Sequence, residues 1–291
     1  MKIKIFFILS VFFLTSTASA LEWKEGTDEA LKNNCHRLSP KSLNRYGYCQ
    51  YSQFGEDGII EEIFNRLNIS EGYCVEFGGA DGVWLSNIRR LIEKGWKGCF
   101  IESSKKAFKK LRKNYQSDEN VLCLNQFITW NQEDQRGMLF DQIRKEHFPD
   151  IEIDFLSIDI DGADFYILKS LECRPKVICI ECGLLWHPLF AKEVPEDIAI
   201  RNIHQPVQVA IDEARKMGYE PICMTNNLFL VRKDLYEPFM DVPSNTLTLW
   251  RDAFRVSPCK EGIIKKRNRL KVLKEMEGSK INQQLPIRVD F

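Results

Sequence analysis

The sequence has no surplus of charge: 41 Lys and Arg are matched by 41 Asp and Glu, a formal net charge of +0 over 291 residues. That balance removes the global attraction on which polyanion binding rests, so no nucleic-acid partner is expected. Long apolar runs are also missing. The one near the start, residues 5–14, is short of the roughly 20 residues that a spanning helix needs, and no later segment is long and apolar enough. No G-x-x-x-x-G-K-[ST] phosphate loop is present. The dinucleotide fingerprint G-x-G-x-x-G fails as well, because a frame starting at Gly78 puts Ala80 and Val83 at the next two glycine places. Cys179-Ile-Glu-Cys182 has no second C-x-x-C to complete a zinc site, and no helix opens on its first cysteine to make it a redox pair. Internal repeats are absent.

What is there begins with Lys2 and Lys4, the short apolar stretch, and Ala18-Ser-Ala20. This is the order of a secretory signal peptide over residues 1–20, with cleavage before Leu21. The chain is therefore expected to be exported to the medium, a periplasm or a secretory lumen. No membrane span is expected beyond an uncleaved N-terminal anchor. Ten cysteines in an exported chain suggest disulfides. Cys74, Cys99, Cys123 and Cys179, however, fall inside expected core strands, where a free thiol acts as a small hydrophobe. Cys35 and Cys49 flank a polar N-terminal segment and are the expected bridge.

The rest of the chain is organised around Tyr73-Cys-Val-Glu-Phe-Gly-Gly-Ala-Asp-Gly82. Tyr73–Phe77 is a β-rich apolar run that stops on glycines. Residues 83–94 carry Trp84, Leu85, Ile88, Leu91 and Ile92 at helical spacing, and a second short strand then ends on Glu102. Strand, glycine turn, helix, strand and acid form the front half of a nucleotide-binding α/β unit. Glycines allow close backbone approach to a ligand, and a helix N-terminus there favours polar or anionic groups. The acid is placed to accept hydrogen bonds from ribose hydroxyls.

Further strands are expected at Val121–Leu124, at residues 153–159 and at residues 175–181, the last two ending in Asp159 and Glu181. Helices are expected at 105–115, 136–147, 165–171 and 207–217. Residues 220–231 then read as two strands around Thr225-Asn-Asn227. Alternating β and α with near-continuous apolar strands indicates a parallel sheet covered on both faces. Residues 21–51 read as an N-terminal extension, 52–234 as the folded domain, and 235–291 as a C-terminal extension with a basic stretch at 260–280. Residues 182–206 form a long insert after a strand end, a usual place for substrate contacts, and contain Trp186, His187 and Pro188.

The turn reads E-x-G-x-A-x-G, which looks like motif I of S-adenosylmethionine-dependent methyltransferases. Taken with Ser86-Asn87, Gly95-Trp-Lys-Gly98, Ile101-Glu102, Ile158-Asp-Ile-Asp-Gly-Ala-Asp164 and Ile180-Glu181, the stretch from Gln53 to Val231 resembles the FkbM-type methyltransferase family. Asp159-Ile-Asp161 and Asp164 stand where that family has an Asp-Val-Glu-Gly-Ala-Glu pattern, with aspartates replacing both glutamates. The resemblance implies a Rossmann-like α/β fold with a mostly parallel seven-stranded sheet, a terminal antiparallel hairpin and helices on both faces. It also implies S-adenosylmethionine as cofactor and O-methylation of a sugar or other small-molecule hydroxyl.

The cofactor candidates are then Gln53, Glu56, Glu76, Gly78, Gly79, Ala80, Asp81, Gly82, Asn87, Glu102, Asn125 and Asp159. Methyl transfer from a sulfonium is an in-line displacement, so positioning carries most of the catalysis and a base within reach of the acceptor helps. Asp161 is the expected general base, Glu181 a further acceptor-side acid, and His187 the alternative base. Asp159, Asp161 and Glu181 also form an oxygen set that suits a magnesium-type ion, but nothing else in the sequence asks for a metal. Export argues the other way, because S-adenosylmethionine is a cytosolic metabolite. Two readings therefore stand: an exported methyltransferase acting on a glycan or small molecule, and an exported binding module that keeps the fold.

Overall fold

Strands that are apolar on both faces need cover on both, and the computed structural model shows how they get it. Residue 26 and residues 28–257 are described. The expected signal peptide and the basic stretch at 260–280 lie outside the described residues. Strands β1 (Tyr73–Phe77), β2 (Lys97–Ile101), β3 (Val121–Leu124), β4 (Phe155–Ile158) and β5 (Val177–Glu181) pair in parallel. Strands β6 (Tyr219–Met224) and β7 (Asn227–Arg232) close the sheet as an antiparallel hairpin, giving seven strands in the order β3-β2-β1-β4-β5-β7-β6. This is the expected Rossmann-like methyltransferase fold.

The α-helices from Glu56 onward among the described residues are α1 (Glu56–Arg66), α2 (Arg89–Glu93), α3 (Lys105–Asn114), α4 (Phe140–His147), α5 (Asp164–Ser170), α6 (Glu196–Ala199), α7 (Val207–Lys216) and α8 (Thr246–Val256). The two-residue period of the strands divides the core between the two faces. Val75, Phe77, Leu156, Ile158, Ile178 and Ile180 pack with Ile143 of α4 and Val207, Ala210 and Ile211 of α7. Cys74, Phe100, Phe155, Val177 and Cys179 pack on the other face with Ile59, Ile60, Ile63 and Phe64 of α1. Each large side chain so buried contributes roughly 1.5–3 kcal/mol. Pro221 is accommodated because β6 is an edge strand and its register shifts between Pro221 and Cys223. Among the described residues, no helix is long and apolar enough to cross a membrane.

Two expectations are corrected. The helix at 83–94 survives only as α2, Arg89–Glu93. Asp81 Oδ1 accepts the amides of Val83 and Trp84, Leu85 sits at φ +57°, and the Glu76 carboxylate accepts the Asn87 amide, so the chain stays irregular until Ile88. Residues on both sides of positions 52 and 234 also pack with the core. Leu43 is buried with α1, while Leu249, Trp250, Ala253 and Phe254 of α8 join the core beside α7. Asp252 of α8 accepts both the amide and the hydroxyl of Ser39, at 3.1 Å each, and so ties the two extensions together. Lastly, Cys35 and Cys49 are not bridged. Arg45 Nη1 donates to the Cys35 sulfur and the Gly55 amide donates to the Cys49 sulfur, so each thiol has its own partner.

Candidate active site

The strand order reverses between β1 and β4: β1 leads outward to β2 and β3, and β4 leads the other way to β5. At such a reversal the loops leaving the carboxyl ends of neighbouring strands diverge, and this edge is where doubly wound sheets place a ligand crevice. Four non-glycine residues with positive φ lie in loops at this edge or in the insert after β5: Ala80 (47°), Leu85 (57°), Asp161 (63°) and Asn202 (61°). Each conformation costs of order 1–3 kcal/mol, and such strain collects at functional sites.

On the β1–β2 side, Glu102 is 7% exposed. Its Oε2 accepts the Ala80 amide at 2.9 Å and its Oε1 accepts the Ser104 amide at 2.6 Å. Each oxygen keeps a lone pair for a further donor. Asn125 donates to the Glu102 carbonyl at 2.7 Å and to the Ser103 carbonyl at 3.2 Å, which fixes the loop after β2 against the end of β3.

The glycines of the turn are packed by protein. An added β-carbon at Gly78 would overlap the Asp159 carbonyl oxygen. At Gly79 it would stand 2.7 Å from Phe100 Cδ1, and at Gly82 it would overlap Tyr115. Glu76 points inward, its oxygens accepting the Ser86 hydroxyl at 2.6 Å and the Asn87 amide at 2.7 Å. Burial pushes its pKa up to about 7, against the lowering effect of those two bonds. Asn87 in turn donates to Ser157 Oγ of β4 at 3.0 Å, joining the β1 turn to the neighbouring strand.

On the β4–β5 side the acids converge. Half-buried Asp159 is hydrogen-bonded to Glu181, and burial followed by the charges of Glu181, Asp164 and Asp161 holds its pKa well above the carboxylate range. Asp159, Asp161 and Glu181 each bring a carboxylate oxygen within 4.8 Å of one another. Asp161 is exposed and accepts Asn202 Nδ2 at 3.1 Å. Glu181 Oε1 accepts Asn226 Nδ2 at 2.9 Å.

The remaining expected residues lie differently. Glu56 is fully buried. It accepts the Thr225 hydroxyl at 2.6 Å, the Phe54 amide at 2.6 Å and Asn227 Nδ2 at 3.2 Å, so its carboxylate links α1 to the hairpin. Gln53 is half-buried in the loop before α1. His187 is occupied locally: its Nδ1 accepts the Leu189 amide at 3.2 Å. The histidine that does meet the acids is His204, near the end of the same insert. Its Nε2 is 3.5 Å from Glu181 Oε1 and its Nδ1 is 3.7 Å from Asp164 Oδ2. The sequence gives no periodic or motif signal for it.

No protein-family model matches the sequence, and no curated protein is similar to it. Solved structures do match. A protein from Staphylococcus aureus provisionally named a caffeoyl-CoA O-methyltransferase shares 13% identity, with 71% of this chain and 98% of that one covered and a TM-score of 0.42. A methyltransferase of Podospora anserina bound to S-adenosylhomocysteine shares 13%, with 74% and 92% covered and a TM-score of 0.38. The glycopeptide N-methyltransferase MtfA complexed with sinefungin shares 14%, with 70% and 96% covered and a TM-score of 0.36. All three are methyltransferases by name.

Proposed function

We propose that the chain is an S-adenosylmethionine-dependent methyltransferase of the FkbM type, exported through residues 1–20, that O-methylates a hydroxyl on a sugar or small molecule. The observation that carries this reading is the charge of the crevice. Asp159, Asp161 and Glu181 bring carboxylate oxygens within 4.8 Å of one another, with the charge of Asp164 beside them, while Glu102 would stand at the nucleoside end of the same edge. A dinucleotide would bring a pyrophosphate into that field and be repelled. A nucleoside with a cationic tail is attracted by it, and the residues fit such a group. S-adenosylmethionine supplies a methyl group on a cationic sulfonium. Glu102 would take the ribose hydroxyls through its remaining lone pairs, with Asn125 bracing the loop. Asp159 would face the amino end, Asp161 would accept the acceptor's proton, and Glu181 would orient the acceptor.

A second reading, an exported binding module that keeps the fold, is favoured by one observation. The backs of Gly79 and Gly82 are filled by Phe100 and Tyr115, so those glycines are needed by the fold with or without a cofactor. Calorimetric titration of S-adenosylmethionine into the purified chain separates the two. Micromolar binding that is lost in Glu102→Ala supports the enzyme. A folded wild-type chain that binds none overturns it.

A further inference from the structure

The inner side of the acidic cluster contains an arrangement that hydrogen bonding alone does not satisfy. His204 is 5% exposed, and its Nδ1 has no hydrogen-bond partner. The ring lies between two carboxylates, with Asp164 Oδ2 at 3.7 Å from Nδ1 and Glu181 Oε1 at 3.5 Å from Nε2. Both separations are beyond a good N–H···O bond. In a neutral ring, whichever nitrogen carries the proton, the other presents a lone pair to a carboxylate. Two buried or half-buried acids and a buried imidazole thus face one another.

The surroundings hold this geometry in place. Asp164 is fixed by the amides of Ile160 at 2.7 Å and Gly162 at 2.8 Å, each leaving an oxygen lone pair free. Glu181 is oriented by Asn226 Nδ2 at 2.9 Å. The His204 ring rests on Gly183, whose added β-carbon would stand 3.3 Å from His204 Cδ2, and the His204 carbonyl is held by Trp186 Nε1 at 2.7 Å.

We propose that Asp164, Glu181 and His204 bind a first-row divalent cation. Their ligand atoms all lie within 4.8 Å of one another, so small side-chain adjustments bring them onto one ion. An imidazole nitrogen with two carboxylate oxygens suits zinc, manganese, iron or cobalt, whereas magnesium and calcium favour all-oxygen sets. This site is distinct from the Asp159, Asp161 and Glu181 oxygen set and shares only Glu181 with it. An ion there relieves the repulsion between Asp164 and Glu181 and leaves Asp159 and Asp161 facing the crevice.

The test uses Co2+ alone as the probe, added to the chelator-treated full chain without cofactor or acceptor, so its result is separate from the methyltransferase reading. One equivalent is expected to bind, with the weak visible bands of a nitrogen–oxygen set and no thiolate charge-transfer band. His204→Gln is expected to weaken binding about 100-fold or more, since losing even an outer partner of a ligand costs 10–100-fold. Glu119→Gln, exposed before β3 at the opposite edge of the sheet, is expected to leave it within about twofold. The Co2+-loaded wild type supplies a second readout that does not depend on the folding of His204→Gln: a paramagnetically shifted, exchangeable imidazole N–H resonance. Absence of Co2+ binding, a thiolate band, full retention in folded His204→Gln, or no such resonance would each overturn the site.

Discussion

The α-carbon of Gly78 is seated against the carbonyl oxygen of Asp159, so closely that a β-carbon there would overlap the oxygen. Through this contact the turn after β1 and the loop after β4 set the width of the crevice together. Gly78 also has φ +69°, which costs an L-residue roughly 1–2 kcal/mol before any overlap. Gly78→Ala is therefore expected to destabilise the fold by about 3 kcal/mol or more, overpacking adding to backbone strain. Urea unfolding would measure it, and a variant as stable as wild type would show that the two loops separate freely.

Glu76 gives a pH dependence with a definite sign. Its folded pKa is raised from 4.5 to about 7, so the folded state holds a proton that the unfolded chain has released. Its contribution is intact below about 4.5 and is lost as pH rises through about 7, a change worth roughly 3 kcal/mol at most. Glu76→Gln cannot titrate, so the stability difference between wild type and variant should shift by that order between pH 4.5 and 8, with wild type losing ground as pH rises. Urea melts at several pH values would show it. A pH-independent difference would mean that Glu76 is ionised throughout.

The strands were legible because their chemistry is local. Val75, Phe77, Leu156, Ile158, Ile178 and Ile180 belong to short apolar runs, and Thr225-Asn-Asn227 marks the hairpin turn. What was not legible depends on partners distant in the chain. Nothing near Leu85 announces that Glu76 will capture Ser86 and Asn87 and delay the helix. His187 stood out beside a tryptophan and a proline, yet His204 reaches the acids, because its position is set by how the insert folds back over β5. Helix α8 is a different case. Leu249, Trp250, Ala253 and Phe254 have helical spacing behind the cap Asn245, so the signal for it is local.

That helix carries a prediction of its own. Asp252 is 1% exposed and accepts two hydrogen bonds from Ser39, with Arg251 and Arg255 each 3.8 Å from its Oδ1. Asp252→Ala leaves a buried amide without an acceptor and is expected to cost about 1–3 kcal/mol. Limited proteolysis should then release the segment before α1 or α8 sooner than in wild type. Unchanged protection would mean that the apolar contacts of α8 suffice to hold both ends.

Asp161 offers a way to separate stability from function at the crevice. It is exposed, it holds φ +63°, and its side chain has a single hydrogen bond, from Asn202. Glycine adopts that conformation without strain, so Asp161→Gly is expected to leave the fold within about 1 kcal/mol of wild type or to stabilise it slightly. The same change removes one negative charge from the field around Asp159. For a cationic nucleoside, losing a nearby unit charge in a half-exposed site should weaken binding about 5–10-fold, roughly 1–1.4 kcal/mol. Thermal melts and calorimetry on the one variant read both effects. Weaker S-adenosylmethionine binding at unchanged stability would mark Asp161 as a residue kept strained for the crevice, and unchanged binding would remove it from the cofactor's field.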